Sequence, residues 1–163
     1  MRKLDELMHL FRIAGAPNPT EWAQSEVNEG IPQLARYLFL RQAWKGIIAD
    51  GDVAWIQREI DHSQKRPGTP GTGLGLALER LTASGATTKD LSEVARTVQW
   101  QLLHSLCYLL SDPSIEEPDL KRVGWALFEI DDEDRPGRPI GALHESVLET
   151  DPTGREMRPK QGV

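Results

Sequence analysis

The side chains best suited to chemistry lie on one polar face of a predicted helix. Gln101, His104 and Tyr108 recur at steps of three and four residues, the spacing that aligns side chains along a helix. Imidazole and phenol groups can hold or move a proton. With two residues of a later segment they form a candidate pocket for a small ligand or a substrate, lined by Gln101, His104, Tyr108, His144 and Glu145. The simpler interpretation is a polar seam along the helix.

Cys107 follows His104 by three residues, and such a pair suggests a nucleophilic site. A Cys–His dyad needs the imidazole within hydrogen-bond reach of the sulfur, which this spacing on one helix rarely provides. Cys107 also lies toward the apolar side of the helix, where a thiol behaves as a small hydrophobic group. We therefore predict no catalytic residue here.

Two short motifs resemble metal sites but lack essential ligands. His144-Glu145 begins like a zinc-protease helix, yet Leu148 stands where the second histidine is required. Asp50-Gly51-Asp52 resembles the start of a calcium loop, but Val53 follows at once and no spread of oxygen ligands continues it. Asp52 is expected to cap the next helix instead. The sequence predicts neither a metal nor a cofactor.

The run Gly71-Thr72-Gly73-Leu74-Gly75-Leu76-Ala77 resembles the second glycine box of histidine-kinase-type ATP-binding domains. In that family the box accompanies an asparagine helix and an Asp-x-Gly-x-Gly turn on an α/β sandwich, and this chain has neither. A P-loop lysine is also missing. We interpret the run as a flexible connector that leads into a helix.

Negative charge is concentrated in the last third of the chain, around a proline-interrupted segment. Such a patch could select a basic partner, because complementary potentials speed encounter and discriminate between partners. A solvated acidic loop is the simpler interpretation. The candidate partner surface consists of Glu129, Asp131, Asp132, Glu133 and Asp134.

These residues need a helical scaffold, and hydrophobic periodicity predicts one. A helix over residues 89–111 is expected at its centre, with Thr87 and Asp90 as a capping box. Its buried stripe is predicted to be Leu91, Val94, Val98, Leu102, Leu106 and Leu109, with a second apolar stripe at Trp100, Leu103, Cys107 and Leu110.

The fold class predicted is all-α, a single-domain bundle of about six or seven helices around that central helix. Residues 1–150 are expected to form the domain and residues 151–163 an extended or mobile tail. Residues 117–128 read as a helix, although residues 125–130 could instead form a short strand. If the run of residues 143–159 is ordered, we expect Leu143, Val147 and Leu148 to anchor it on the core.

Composition limits the classes of partner. The chain has 163 residues, a formal net charge of -6 and one cysteine. This balance argues against nucleic acid and anionic membranes as partners, since both require clustered cations. We recognise neither a signal-peptide pattern nor a run of about 18 apolar residues, and expect neither a leader nor a membrane-spanning helix. A reducing cytoplasm is the expected location.

Two segments resemble a family of small bacterial proteins with no assigned activity: residues 98–113 (VQWQLLHSLCYLLSDP) and 141–159 (GALHESVLETDPTGREMRP). The resemblance covers part of the C-terminal half and implies a bacterial origin without catalytic residues. We predict a non-enzymatic interaction, regulatory or inhibitor protein that binds a protein partner, including a second copy of itself, through its acidic surface. The alternative is a ligand-binding protein or enzyme with a pocket near His104 and Tyr108.

Overall fold

A computed structural model describes residues 3–160. The described chain is mostly helical, which confirms the predicted all-α class, and it adds one two-stranded sheet. The seven helices within it are α1 (Lys3–Ala14), α2 (Pro19–Glu29), α3 (Gln33–Trp44), α4 (Ala54–Lys65), α5 (Gly73–Ala83), α6 (Thr88–Ser111) and α7 (Leu143–Ser146). The strands are β1 (Leu127–Ile130) and β2 (Pro136–Ile140).

The chain divides into two compact units. The first unit is Met1–Trp44 with Leu102–Val163, and the second is Lys45–Gln101. Helix α6 begins in the second unit and ends in the first. Of the residues predicted for the candidate pocket and the acidic surface, all except Gln101 belong to the first unit.

An aromatic cluster forms the core between the first three helices. Phe11 of α1, Trp22 of α2 and Tyr37 of α3 lie with their ring centroids 5.5–6.0 Å apart. Phe11 and Tyr37 meet edge to face, as do Trp22 and Tyr37, an arrangement that the charge distribution of aromatic rings favours. Small buried residues, Ala14, Ala16 and Ala23, let the helices approach around these rings.

The C-terminal segment packs onto α3. Leu143 and Val147 are fully buried, as predicted for anchors of this segment, whereas Leu148 is half-buried. The indole of Trp44 donates its Nε1–H to Val147 O at 3.1 Å and to Thr150 Oγ1 at 3.2 Å. The buried guanidinium of Arg36 donates to the carbonyl of Ala142 at 2.7 Å. These bonds join the side chains of α3 to backbone carbonyls of the C-terminal segment.

Beyond α7 the chain continues in hydrogen-bonded turns around Asp151. The carboxylate of Asp151 is 5% exposed and accepts the backbone N–H groups of Thr153 at 3.1 Å and Met157 at 2.9 Å. It also accepts the Thr153 hydroxyl at 2.7 Å. A short side chain that accepts backbone N–H groups ahead of it is the usual way for aspartate to stabilise a turn.

The second unit is built on the packing of α4 against α5. Trp55, Ile56 and Ile60 of α4 form a core cluster with Leu78 of α5. The indole of Trp55 donates to Ser92 Oγ at 2.8 Å, so its polar edge is satisfied. The start of α6 matches the prediction, since Thr87 Oγ1 accepts the N–H of Asp90. The N-cap of α4 is Val53 and not Asp52 as predicted, although Asp52 Oδ1 accepts the N–H of Ala54, the first residue of the helix.

The predicted buried stripe of α6 is wrong at five of its six positions. Only Leu91 packs against a core cluster. The buried side of α6 is the one that contains Cys107, which is 0% exposed. Both sides of α6 are apolar, so periodicity alone did not decide between them. The exposed fractions are 64% for Val94, 57% for Val98, 58% for Leu102, 48% for Leu106 and 43% for Leu109.

The predicted helix over residues 117–128 is also wrong. Turns occupy residues 118–122, and β1 begins at Leu127, as in the strand alternative. β1 pairs antiparallel with β2, Leu127 opposite Ile140 and Phe128 opposite Pro139, with a bulge before the Ile130–Pro136 pair. Pro136 and Pro139 supply no N–H, which restricts this two-stranded sheet to a short ladder.

Candidate partner-binding surface

The exposed side of α6 forms an apolar face in the first unit. We call Leu102, Leu106 and Leu109 the α6 face; the three lie at steps of four and three residues along the helix. Val94 and Val98 continue the same spacing on the preceding turns of α6. A 3.6-residue repeat places such positions on one side of a helix. The face is therefore a stripe of branched aliphatic side chains in contact with water.

Trp125 extends the α6 face at its C-terminal end. Its Nε1–H donates to Leu109 O at 2.8 Å. The usual donor to this carbonyl would be the N–H four residues on, but that residue is Pro113, which has none. Trp125 therefore satisfies a carbonyl that the helix leaves unpaired, and its ring, 46% exposed, is fixed beside Leu109.

Burial of the α6 face by a partner would contribute hydrophobic free energy to association. Full burial of a leucine side chain contributes about 1.5–3 kcal/mol, so each half-exposed leucine of the α6 face retains about 1 kcal/mol for association. Single exposed leucines are common on protein surfaces, whereas contiguous apolar patches indicate interaction sites. The α6 face and Trp125 together form a contiguous apolar patch of the kind that indicates an interaction site.

The α6 face is also free of charge. Residues 97–111 contain no Asp, Glu, Lys or Arg. The polar residues of this stretch are uncharged, and Ser105 is exposed between Leu102 and Leu109 in the sequence. Burying this surface against another protein would therefore not desolvate an ion, the step that costs most when an interface forms.

Most of the predicted acidic surface is engaged within the chain. Arg138 Nε donates to Glu129 Oε1 at 2.6 Å, and Arg135 pairs with Asp131 at 2.8 Å and Glu133 at 2.9 Å. These bonds lower the pKa of Glu129, chiefly through the Arg138 side chain, and the pKa of Asp131, chiefly through the Arg135 backbone N–H. Asp131 Oδ1 accepts the N–H of Glu133 and of Arg135, so these carboxylates build the turn between β1 and β2.

Asp132 and Asp134 complete the predicted acidic surface. Both are exposed, and no arginine pairs with either of them among the described residues. Asp134 adopts the left-handed conformation, with φ of 58°, which aspartate tolerates better than most residues. Two of the five predicted carboxylates therefore stay available to an outside cation.

Three of the five residues of the candidate pocket come together. His144 lies edge to face with Tyr108, centroids 5.0 Å apart, and with His104 at 6.0 Å. Gln101 and Glu145 are exposed. The Nδ1 atom of His144 is buried and has no hydrogen-bond partner among residues 3–160. Over the same residues no three His, Cys, Asp or Glu side chains gather to hold a metal ion.

Cys107 is unsuited to nucleophilic chemistry. It is 0% exposed, and burial raises the pKa of its thiol to about 11. The thiolate is the reactive form of cysteine, so at neutral pH the side chain is a neutral, enclosed hydrophobic group.

An open cleft lies in the second unit, along α4. Its volume is about 380 Å³, and it is lined by Arg58, Asp61, His62, Lys65 and Arg66. No sequence pattern had predicted this cleft, although four of its residues recur on α4 at steps of three and four. Lys65 and Arg66 lie at the C-terminal end of α4, where cations stabilise the helix dipole, and Arg58 pairs with Asp52 at 2.9 Å. These cations are therefore accounted for without a ligand.

The glycine run before α5 has a structural explanation. Gly71 has a φ of +91°, a backbone conformation that side chains rarely adopt. Gly75 lies against α4 so closely that a Cβ there would be 2.2 Å from Glu59 O. Both glycines are thus required by backbone geometry. The run leads into a helix as predicted, but α5 begins at Gly73, so Gly75 belongs to the helix and not to a connector.

Comparison with known proteins gives no relative for this chain. No family model, no curated protein and no solved structure matches it. Among the described helices, none has the length and apolarity to cross a membrane. The resemblance of residues 98–113 and 141–159 to a bacterial family stays a prediction, and function must be inferred from the geometry of the surface.

Proposed function

We propose that this chain is a non-enzymatic interaction protein that binds another protein through the α6 face. The observation that carries the proposal is the charge-free row of Leu102, Leu106 and Leu109, each 43–58% exposed and bordered by Trp125. Aromatic and aliphatic side chains that are uncharged and contiguous supply the buried centre of protein interfaces.

The acidic turn has the second role in this proposal. Asp132 and Asp134 add negative charge that favours partners with a cation at the rim of the interface. Because Glu129, Asp131 and Glu133 already bind arginines of the chain, charge contributes selectivity here and apolar burial contributes most of the affinity. With a single cysteine the chain has no internal disulfide, which fits a reducing bacterial cytoplasm, the compartment we propose.

The proposal predicts where a photoreactive side chain will capture a partner. A photo-crosslinking residue at Leu106 is expected to yield a discrete protein adduct in lysate of the source cells. The same residue at Ile13, which is 68% exposed on α1, is the matched control and should yield little. Adduct bands separated by electrophoresis measure the difference. Absence of an adduct at Leu106, or equal adducts at both positions, would contradict this function.

A second candidate function is small-ligand binding beside His104, Tyr108 and His144. The buried, unpaired Nδ1 of His144 favours it, since a buried polar atom without a partner is costly and a ligand could supply one. We expect a ligand of this site to raise the melting temperature of the wild type and not that of H144F. A thermal-shift screen measures this, and an equal rise in both proteins would place the ligand elsewhere.

A further inference from the structure

We propose that the partner on the α6 face is a second copy of this chain, so that the protein forms a symmetric dimer. This inference rests on the proposed function and identifies the occupant of the same surface. It follows from the charge of the chain and from the shapes of the side chains along the C-terminal half of α6.

The absence of charge on the α6 face permits a second copy there. Each chain has a formal net charge of -6, so two copies repel each other over most of their surfaces. Residues 97–111 contain no Asp, Glu, Lys or Arg, and this stretch can meet its own image without opposing like charges. A basic partner would find no carboxylate on the α6 face to bind, whereas an identical face is as apolar as the first.

The side chains of the α6 face are complementary to themselves. A two-fold axis between Ser105 and Leu106 of antiparallel helices would place Leu102 of one copy opposite Leu109 of the other. The same axis would place each Leu106 opposite the small, exposed Ser105 of the other copy. A large side chain then faces a small one at the crossing point, which lets the helix backbones approach closely. Isologous contacts of this kind close into a dimer and leave no open surface.

The three leucines of the α6 face are too small in area to form a stable dimer interface alone, so flanking residues must also be buried in it. A stable interface buries about 800 Å² on each partner, more than three half-exposed leucines supply. Trp125, held beside Leu109 by its indole hydrogen bond and 46% exposed, is the aromatic side chain adjoining the face. Tryptophan and tyrosine contribute disproportionately to interface affinity, and the dimer should depend on Trp125.

The first test measures, by sedimentation velocity, how the mass of the protein in solution depends on its concentration. The wild type is expected to be dimeric at micromolar concentration and to dissociate on dilution. L106E places a carboxylate at the crossing point twice, once from each copy, and should weaken the dimer by at least about 100-fold. I13E adds the same charge at an exposed position of α1 and should leave the mass unchanged. Circular dichroism of both variants verifies that the helices are retained.

The second test locates the crossing point by thiol cross-linking. S105C should give a covalent dimer with a short bis-maleimide, whereas S84C, at an exposed position after α5, should stay monomeric. The native Cys107 is buried and does not compete. A wild type that is monomeric at every concentration would overturn the dimer, as would an unaffected L106E or an uncross-linked S105C. If photo-crosslinking at Leu106 then captures a different protein, the interaction function stands; without any adduct, both proposals fail.

Discussion

Replacement of Arg138 by methionine is expected to lower the free energy of unfolding by about 3–4 kcal/mol. Arg138 donates from one terminal nitrogen to Glu26 Oε1 at 2.6 Å, and Glu26 is only 3% exposed. Methionine retains the aliphatic stem of the side chain and removes the charge. The Glu26 carboxylate would then be buried with the N–H of Leu34 as its remaining described donor, and an uncompensated buried charge is strongly destabilising.

Arg135 provides the matched control for this prediction. It lies in the same hairpin and also binds two carboxylates, but Asp131 and Glu133 are exposed, with side-chain exposures of 45% and 70%. Exposed pairs contribute about 0–1 kcal/mol, so R135M should unfold close to the wild-type urea midpoint. Equal destabilisation by R138M and R135M would show that the burial of Glu26 is not what makes Arg138 important. E26Q combined with R138M should recover part of the loss, since it removes the unpaired charge.

The effect of R138M should also depend on pH. The Arg138 side chain lowers the pKa of Glu129, so this contribution to stability is fully present above the ordinary pKa of glutamate in the unfolded chain. It is lost as the pH falls through the lowered pKa of the folded protein. The difference in unfolding free energy between wild type and R138M should therefore narrow on acidification. A constant difference from neutral pH into this acidic range would contradict the pairing of Arg138 with Glu129.

Helix α6 shows which features of the fold follow from the local sequence. Its start follows from the Thr87–Asp90 capping box, and its end at Ser111 follows from the proline two residues on. Which side of it is buried depends on segments far along the chain. A helix that is apolar on two sides has two acceptable orientations, and the neighbours that pack against it select one.

The hairpin and the histidine cluster were harder to predict for the same reason. β2 contains Pro136 and Pro139, residues that argue against a strand, so the partner of β1 carries no strand signal. His104 and Tyr108 follow from helical spacing, whereas the contact of Tyr108 with His144 joins residues 36 positions apart. Sequence patterns report neighbours along one element; contacts between elements require the tertiary fold.

Substitution of Gly75 by alanine is expected to destabilise the second unit by about 2–3 kcal/mol. A Cβ at this position would lie 2.2 Å from Glu59 O and 2.2 Å from Ser63 Oγ. The serine hydroxyl can rotate, although it would lose its hydrogen bond to Thr72 O, but the Glu59 carbonyl belongs to the backbone of α4. The two helices would have to separate along a contact that contains the core cluster of Ile60 and Leu78.

Gly73 is the control, because it belongs to the same glycine run and its Cβ would meet nothing within 4 Å. G73A should be neutral or stabilising by up to about 1 kcal/mol, since alanine restricts the unfolded chain and favours a helix. Urea unfolding measures both variants. A phosphate-binding loop would instead need both glycines for ligand affinity, with little effect of either on stability without ligand. Loss of stability in G75A and none in G73A would therefore assign this run to the packing of α5 on α4.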